Sequence, residues 1–128
     1  MYTPRLEKDI RCPLEYGLTV FGGKWKSRVI CVLAEKGTLR YSTLRKEMTN
    51  ITDAVLASTL KELMVDDIVR RQQFNEIPPR VEYKLTAKGQ SVVPILQTIC
   101  QWSGMYHREE NENTLSQCQK CDYHTPRK

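Results

Sequence analysis

Between Asn75 and Gln90 the chain reads NEIPPRVEYKLTAKGQ, and its adjacent prolines constrain the fold more than any other feature. Pro78 and Pro79 cannot sit inside a helix and cannot donate to a strand ladder, so they belong at a loop tip or a sheet edge. The runs on either side, IVRRQQF and RVEYKLT, alternate apolar or aromatic residues with polar ones at period two. That pattern predicts two strands sharing one dry face. The expected unit is a two-stranded ribbon with a stiff, basic-edged tip, and such a ribbon needs a helical body to press against.

The rest of the chain supplies that body. CPLEYGLTVFGG predicts a short helix: Pro13 suits a first helical position, Leu14, Leu18 and Phe21 share a face, and Gly22-Gly23 stop it. KWKSRVICVLAEKG predicts a second helix, apolar around so much of its circumference that it should be central, with Trp25, Val29, Val32 and Leu33 inward. A very short strand or connector, TLR, leads into a two-turn helix starting near Ser42. The next helix places Leu56, Leu60, Leu63 and Met64 on one face and Ala54, Ser58, Lys61 and Glu62 on the other. Thr52 is a suitable N-cap, and Asp53 suits the positive end of the helix dipole. The outward N-terminal face of this helix is small and uncharged, so it can lie close against a flat partner. After the ribbon, Thr86 opens a long helix, TAKGQSVVPILQTICQWSGMYHREE, bent but not ended by Pro94. Its stripe of Val92, Ile95, Leu96, Ile99, Trp102 and Tyr106 extends past what one small domain needs to cover.

Helix, tight turn, bare-faced helix and ribbon together make a winged helix-turn-helix, in which the proline-tipped ribbon is the wing. The expected class is mainly α with a small β-wing (α+β). The first and last helices serve dimerisation through Leu14, Leu18, Phe21, Ile95, Ile99, Trp102 and Tyr106. The expected layout is an arm at 1–11, the winged domain with its dimerisation helices at 12–108, and a polar tail at 109–128.

Length and charge agree with this layout. With 128 residues and 40% apolar content, one domain with a sizeable core is expected. The net charge of +5 favours an anionic partner, nucleic acid before membrane. No apolar run is long enough to span a bilayer, and the start MYTPRLEKDIRCP lacks a signal-peptide core. A cytoplasmic protein without a membrane partner is expected. The five cysteines, Cys12, Cys31, Cys100, Cys118 and Cys121, are odd in number and unrelated in spacing, which argues against a secreted disulfide framework.

From Cys12 to Tyr106 the chain resembles the HxlR-type transcription regulators, dimeric winged-helix proteins related in architecture to the MarR group. The resemblance rests on CP opening the first helix, GGKWK before the second, the L..L spacing of the bare-faced helix and, most specifically, PPRVEYKLTAKG at the wing. It implies a homodimer on a pseudo-palindromic operator that represses or activates a neighbouring gene, with some relatives sensing electrophiles or oxidants through the cysteine matching Cys12. No cofactor is implied, and the small-molecule inducer is unspecified.

On that reading Thr52, Ala54, Val55 and Ser58, with Lys61 at the margin, are the candidates for base edges, because small hydroxyl and methyl groups reach thymine methyls or bond either base type. Arg40, Ser42, Arg45 and Lys46 are candidates for the phosphate backbone. So are Arg70 and Arg71 at the wing's base and Arg80 at its tip, where Pro78 and Pro79 preorganise docking in a minor groove. The bland alternatives are that Thr52 is only a cap, that Ser58 is only solvated and that Arg80 pairs with Glu76.

Cys12 precedes Pro13 at a helix start, where unpaired amides favour a thiolate and Arg5 and Arg11 can add positive charge, so it is the candidate redox sensor. Its bland alternative is a buried residue packing against the last helix. Cys31 and Cys100 read as small hydrophobes. Cys118-x2-Cys121-x2-His124 offers three soft ligands without a fourth, so no metal site is assigned there. His107 and His124 have no nucleophile or carboxylate at a recognisable catalytic spacing, and no catalytic residue is assigned. Two other functional classes stay open: a thiol redox enzyme using Cys12 or Cys118 and Cys121, and a winged-helix module that binds protein. The wing argues against the first and the basic residues on both elements against the second.

Overall fold

The computed structural model describes residues 9–107. Its elements run α1 (Pro13–Phe21), α2 (Lys24–Lys36), β1 (Leu39–Arg40), α3 (Tyr41–Met48), α4 (Asp53–Val65), β2 (Val69–Phe74), β3 (Arg80–Leu85) and α5 (Ala87–Gly104). The three strands form an antiparallel sheet in the order β1-β3-β2. This is the mainly helical winged helix-turn-helix that the sequence predicts.

Each element starts or stops for a local reason. Pro13 enters α1, and Gly23 takes φ +87° as the N-cap of α2, a left-handed conformation that most side chains resist. Thr52 caps α4 by accepting from the Val55 amide at 3.2 Å, and Thr86 caps α5 by accepting from the Gly89 amide at 2.9 Å. α5 continues through Pro94 and ends at Gly104, with Met105 and Tyr106 in a turn. It is shorter than the helix through Glu110 that the sequence suggests.

The core is built around α2, which packs against α3, α4, α5 and β3. Val29, Ile30, Val32 and Leu33 of α2 are buried together with Leu44, Met48, Ile51, Leu56, Leu60, Leu63 and Ile68. Burial of each such aliphatic side chain contributes about 1.5–3 kcal/mol relative to exposure. Trp25 packs against this core with Lys24 and Arg28 over its ring at 4.5 and 4.9 Å, and Cys31 packs there as a small hydrophobe. Lys26 joins three helices: its ammonium donates to the Thr19 carbonyl at 2.9 Å and pairs with Glu62 at 3.2 Å.

The apolar stripe of α5 divides. Val92 and Leu96 turn inward and are buried, whereas Ile95, Ile99 and Trp102 remain exposed. Tyr106, beyond the helix end, is also exposed, with its ring 5.5 Å from that of Trp102. On α1, Leu14 and Leu18 are exposed, but Phe21 packs against the chain's own core.

Candidate nucleic-acid interface

The turn between α3 and α4 sets the angle of the helix that carries the base-reading candidates. Leu56, Thr59, Leu60 and Leu63 bury one side of α4, which leaves Thr52, Ala54, Val55, Ser58 and Lys61 exposed on the other. The period of the helix therefore separates the packing face from the candidate reading face as expected. Thr52 acts as the cap and remains exposed, so its hydroxyl oxygen is already an acceptor.

One carboxylate holds the front of this helix. Asp53, the first residue of α4, accepts through Oδ1 from the Tyr41 hydroxyl at 3.1 Å and forms an ion pair through the same oxygen with Arg45 Nε at 2.8 Å. Both partners belong to α3, so the helix-turn-helix is tied across its open end. Burial, and then the hydrogen bond to Asp53, raise the Tyr41 pKa above its ordinary value. Arg45, expected as a free phosphate contact, is thus already partnered, while Arg40, Ser42 and Lys46 are exposed beside it. Sequence spacing gives no sign of this cluster, because Tyr41 and Asp53 are 12 residues apart on different helices.

The ribbon pairs in register from Val69 opposite Leu85 to Phe74 opposite Arg80. Arg71 stands opposite buried Tyr83, and Arg70 opposite Lys84. Because successive residues point to opposite faces, Arg71 lies on the face that packs inward at its base, and Arg70 lies on the other. The two arginines do not form one patch. On β2 only Val69 is buried, so the shared face is dry at the base and wet beyond it, where the ribbon outreaches the core. Pro78, Pro79 and Ile77 are exposed at the tip.

Arg80 does not stand free at that tip. Its Nη2 lies 3.0 Å from Glu76, its guanidinium sits 4.0 Å from the centre of the Phe74 ring, and its Nε is 3.5 Å from Glu82. The last distance is an ionic contact without a hydrogen bond, since buried Nε has no hydrogen-bond partner among the described residues. The pairing with Glu76 is the one that forms, so preorganisation at the tip holds Arg80 against its own wing.

Cys12 is the N-cap of α1 and is exposed in the single chain. Its carbonyl accepts from the Glu15 and Tyr16 amides at 3.0 and 3.3 Å. The Arg11 guanidinium beside it is bound to Asp9 at 3.0–3.2 Å, so the local positive charge expected from Arg11 is offset. Arg5, Cys118, Cys121 and His124 lie outside the described residues. Among those described, no three His, Cys, Asp or Glu side chains are grouped to hold a metal ion, and no helix is long and apolar enough to cross a membrane.

With this geometry in place, comparison with known proteins gives a consistent answer. A transcriptional regulator of the helix-turn-helix type from Methanothermobacter thermautotrophicus, itself uncharacterised, is 44% identical over 107 residues, covering 82% of this chain and 81% of the relative. YkvN of Bacillus subtilis, another such regulator, is 43% identical over 103 residues, covering 80% of this chain and 86% of its own. Among solved structures, the redox regulator HypR in its oxidised form superposes with a TM-score of 0.69 at 36% identity, covering 77% of this chain and all of that one (100%). The reduced form of the transcriptional regulator YodB from B. subtilis gives 0.69 at 30% identity, covering 80% and 100%. The model of HxlR-like helix-turn-helix proteins matches residues 20–111, and the chain belongs to that family of transcription regulators.

Proposed function

We propose that the protein works as a homodimer that recognises a pseudo-palindromic double-stranded operator. In this reading α4 enters the major groove and the wing follows the adjacent backbone. The observation that carries it is the two-sided character of α4: one side is sealed into the core, while Thr52, Ala54, Val55 and Ser58 are exposed at its front, flanked by Arg40, Ser42 and Lys46. Two such helices on a two-fold axis enter successive major grooves about 34 Å apart, giving half-site centres roughly 10 bp apart. The exposed apolar residues of α1 and α5, Leu14, Leu18, Ile95, Ile99 and Trp102, support the second copy.

Fluorescence anisotropy with mixed-sequence duplex at two salt concentrations, followed by footprinting on selected sequences, tests this reading. Binding that weakens steeply with salt and a footprint with two centres one turn apart are expected. Protein that retains no duplex, or a footprint confined to one half-turn, would overturn it. Ser58→Ala should change the preference among operator variants, and an equal loss on every sequence would move Ser58 to the backbone class.

A switch at Cys12 is favoured by one specific observation: the thiol is exposed at the start of the same helix that presents Leu14 and Leu18. That HypR is a redox regulator supports the reading. An adduct there would shift the spacing of the two α4 helices. Brief alkylation with mass mapping, beside a Cys12→Ser control, should show Cys12 labelling faster than Cys31 and Cys100 and operator release that depends on Cys12. Equal release from the Cys12→Ser protein rules the switch out.

A further inference from the structure

We infer that Asp53 reads a cytosine in the major groove, with Tyr41 and Arg45 holding its carboxylate in place. The inference rests on the operator-binding reading above and names a specificity residue within it.

Asp53 opens α4, between the exposed candidates Thr52 and Ala54, and its side chain is 72% exposed. A carboxylate there faces a polyanion, so its presence needs a chemical reason. Capping does not supply one, because Thr52 already satisfies the Val55 amide. Dipole complementarity alone would not need two partners from another helix.

The geometry is specific. The Tyr41 hydroxyl donates to Oδ1, and Arg45 Nε pairs ionically with the same oxygen. Oδ2 takes neither contact and remains an acceptor. The Arg45 contact uses Nε, so the guanidinium's terminal nitrogens remain donors. A C·G pair displays the complementary order in the major groove, the cytosine N4 amino donor next to guanine O6 and N7 acceptors. Arg45 also offsets the charge of Asp53 and so reduces its repulsion of the phosphates. Pairing through one carboxylate oxygen fixes the orientation of the other, which is what a base-reading acceptor requires.

Asp53→Asn provides a directional test. Asparagine keeps an oxygen for Tyr41 and Arg45 but presents an amide, whose preferred partner is adenine. Wild type and variant are each used to select from a randomised duplex library. Anisotropy is then measured on a panel that substitutes every base pair of the selected half-site. The expected result is a wild-type preference for cytosine at one position per half-site, worth roughly tenfold. In the variant that preference moves toward adenine while the rank order at other positions is kept. Tyr41→Phe should reduce discrimination at that same position only. A uniform change in affinity across the panel, or an unchanged preference, shows that the cluster only braces α3 against α4 and overturns the inference. A wild type that binds duplex without enriching any sequence also overturns it but leaves DNA binding standing, whereas a wild type that retains no duplex removes the operator reading itself. If Asp53→Asn melts far below wild type, Asp53→Ser carries the same comparison, with loss of the cytosine preference expected.

Discussion

The helix-turn-helix with its wing and the α1/α5 face treat their exposed groups in opposite ways. At the first, charges are matched within the chain: Asp53 holds Arg45 and Tyr41, and Arg80 is held by Glu76, Glu82 and Phe74. At the second, Leu14 at 68%, Leu18 at 52% and Trp102 at 65% exposure are left uncovered. Polar groups can be satisfied by a neighbour a few ångströms away, whereas apolar side chains need a surface of matching extent. The paired charges of the first region are therefore satisfied within one copy. On the proposed reading a second copy covers the apolar region, and it is where perturbation should have the largest effect.

Trp102→Asp tests that asymmetry most severely. A carboxylate on the exposed face of α5 should give monomers at micromolar concentration in sedimentation, with the fold retained because Trp102 lies outside the core. Loss of the linkage between two half-sites should weaken operator binding by about a hundredfold or more. A wild type that sediments as a monomer, or a variant that remains dimeric, would remove the contrast altogether.

The next effect concerns the joint between the two regions. Gly89, in the first turn of α5, lies so close to the end of α4 and the start of β2 that an added Cβ would meet the Ile68 carbonyl oxygen at 2.2 Å. That carbonyl already accepts from the Thr86 amide at 3.0 Å, so it cannot move without disturbing the bond that holds the N-cap residue of α5. Gly89→Ala should destabilise the protein by about 1–3 kcal/mol, read as a lower urea midpoint with an unchanged slope. An unchanged midpoint would mean that the two regions are joined more loosely than the packing indicates.

What could be read in advance follows from what a periodic pattern records. Thr52 and Thr86 announce their helices because capping is a local bond between residues three apart. The ribbon is legible because alternation and the proline pair are local as well. The division of the α5 stripe is not, since Val92, Ile95, Leu96 and Ile99 all fall within an arc of about 100° on a helical wheel. One wide stripe then conceals two faces with different partners. The Asp53 cluster is invisible for a similar reason: α3 and α4 have to be folded together before Tyr41, Arg45 and Asp53 become neighbours. At the wing, the stiffness conferred by Pro78 and Pro79 is legible, but which partner it holds Arg80 against depends on the cross-strand register of Phe74 and Arg80.

A smaller effect sharpens the contrast at the wing itself. If Arg80 is retained by Glu76, then Glu76→Gln should free it, raising affinity for mixed-sequence duplex a few-fold and steepening the salt dependence by up to about one unit of slope. Arg80→Ala in the otherwise unaltered protein should change both quantities less than the loss of a fully committed phosphate contact would. If Arg80→Ala instead weakens all duplexes strongly and flattens the salt dependence, the guanidinium leaves Glu76 on docking. The wing would then work by partner exchange.

The smallest effect is expected at Tyr41 and is confined to alkaline pH. Burial is the first cause of its raised pKa, followed by the hydrogen bond to Asp53, which only the protonated phenol can donate; the nearby Arg45 acts in the opposite direction. The folded protein therefore keeps this proton at pH values where the unfolded chain has lost it. The resulting stabilisation is fully present below the ordinary tyrosine value of about 10 and is lost as the pH rises from there through the folded-state value. Wild type should be modestly more stable than Tyr41→Phe near neutrality, by no more than the roughly 1 kcal/mol of an ordinary hydrogen bond. Their urea midpoints should converge above about pH 10. Other tyrosines and the lysines titrate in the same range, but they are common to both proteins and cancel in the difference. A gap that stays constant from pH 8 to beyond pH 10, both values chosen to bracket the ordinary tyrosine range of about 10, would show that the Tyr41 proton is not shared with Asp53 in solution. The brace across the open end of the helix-turn-helix would then rest on Arg45 alone.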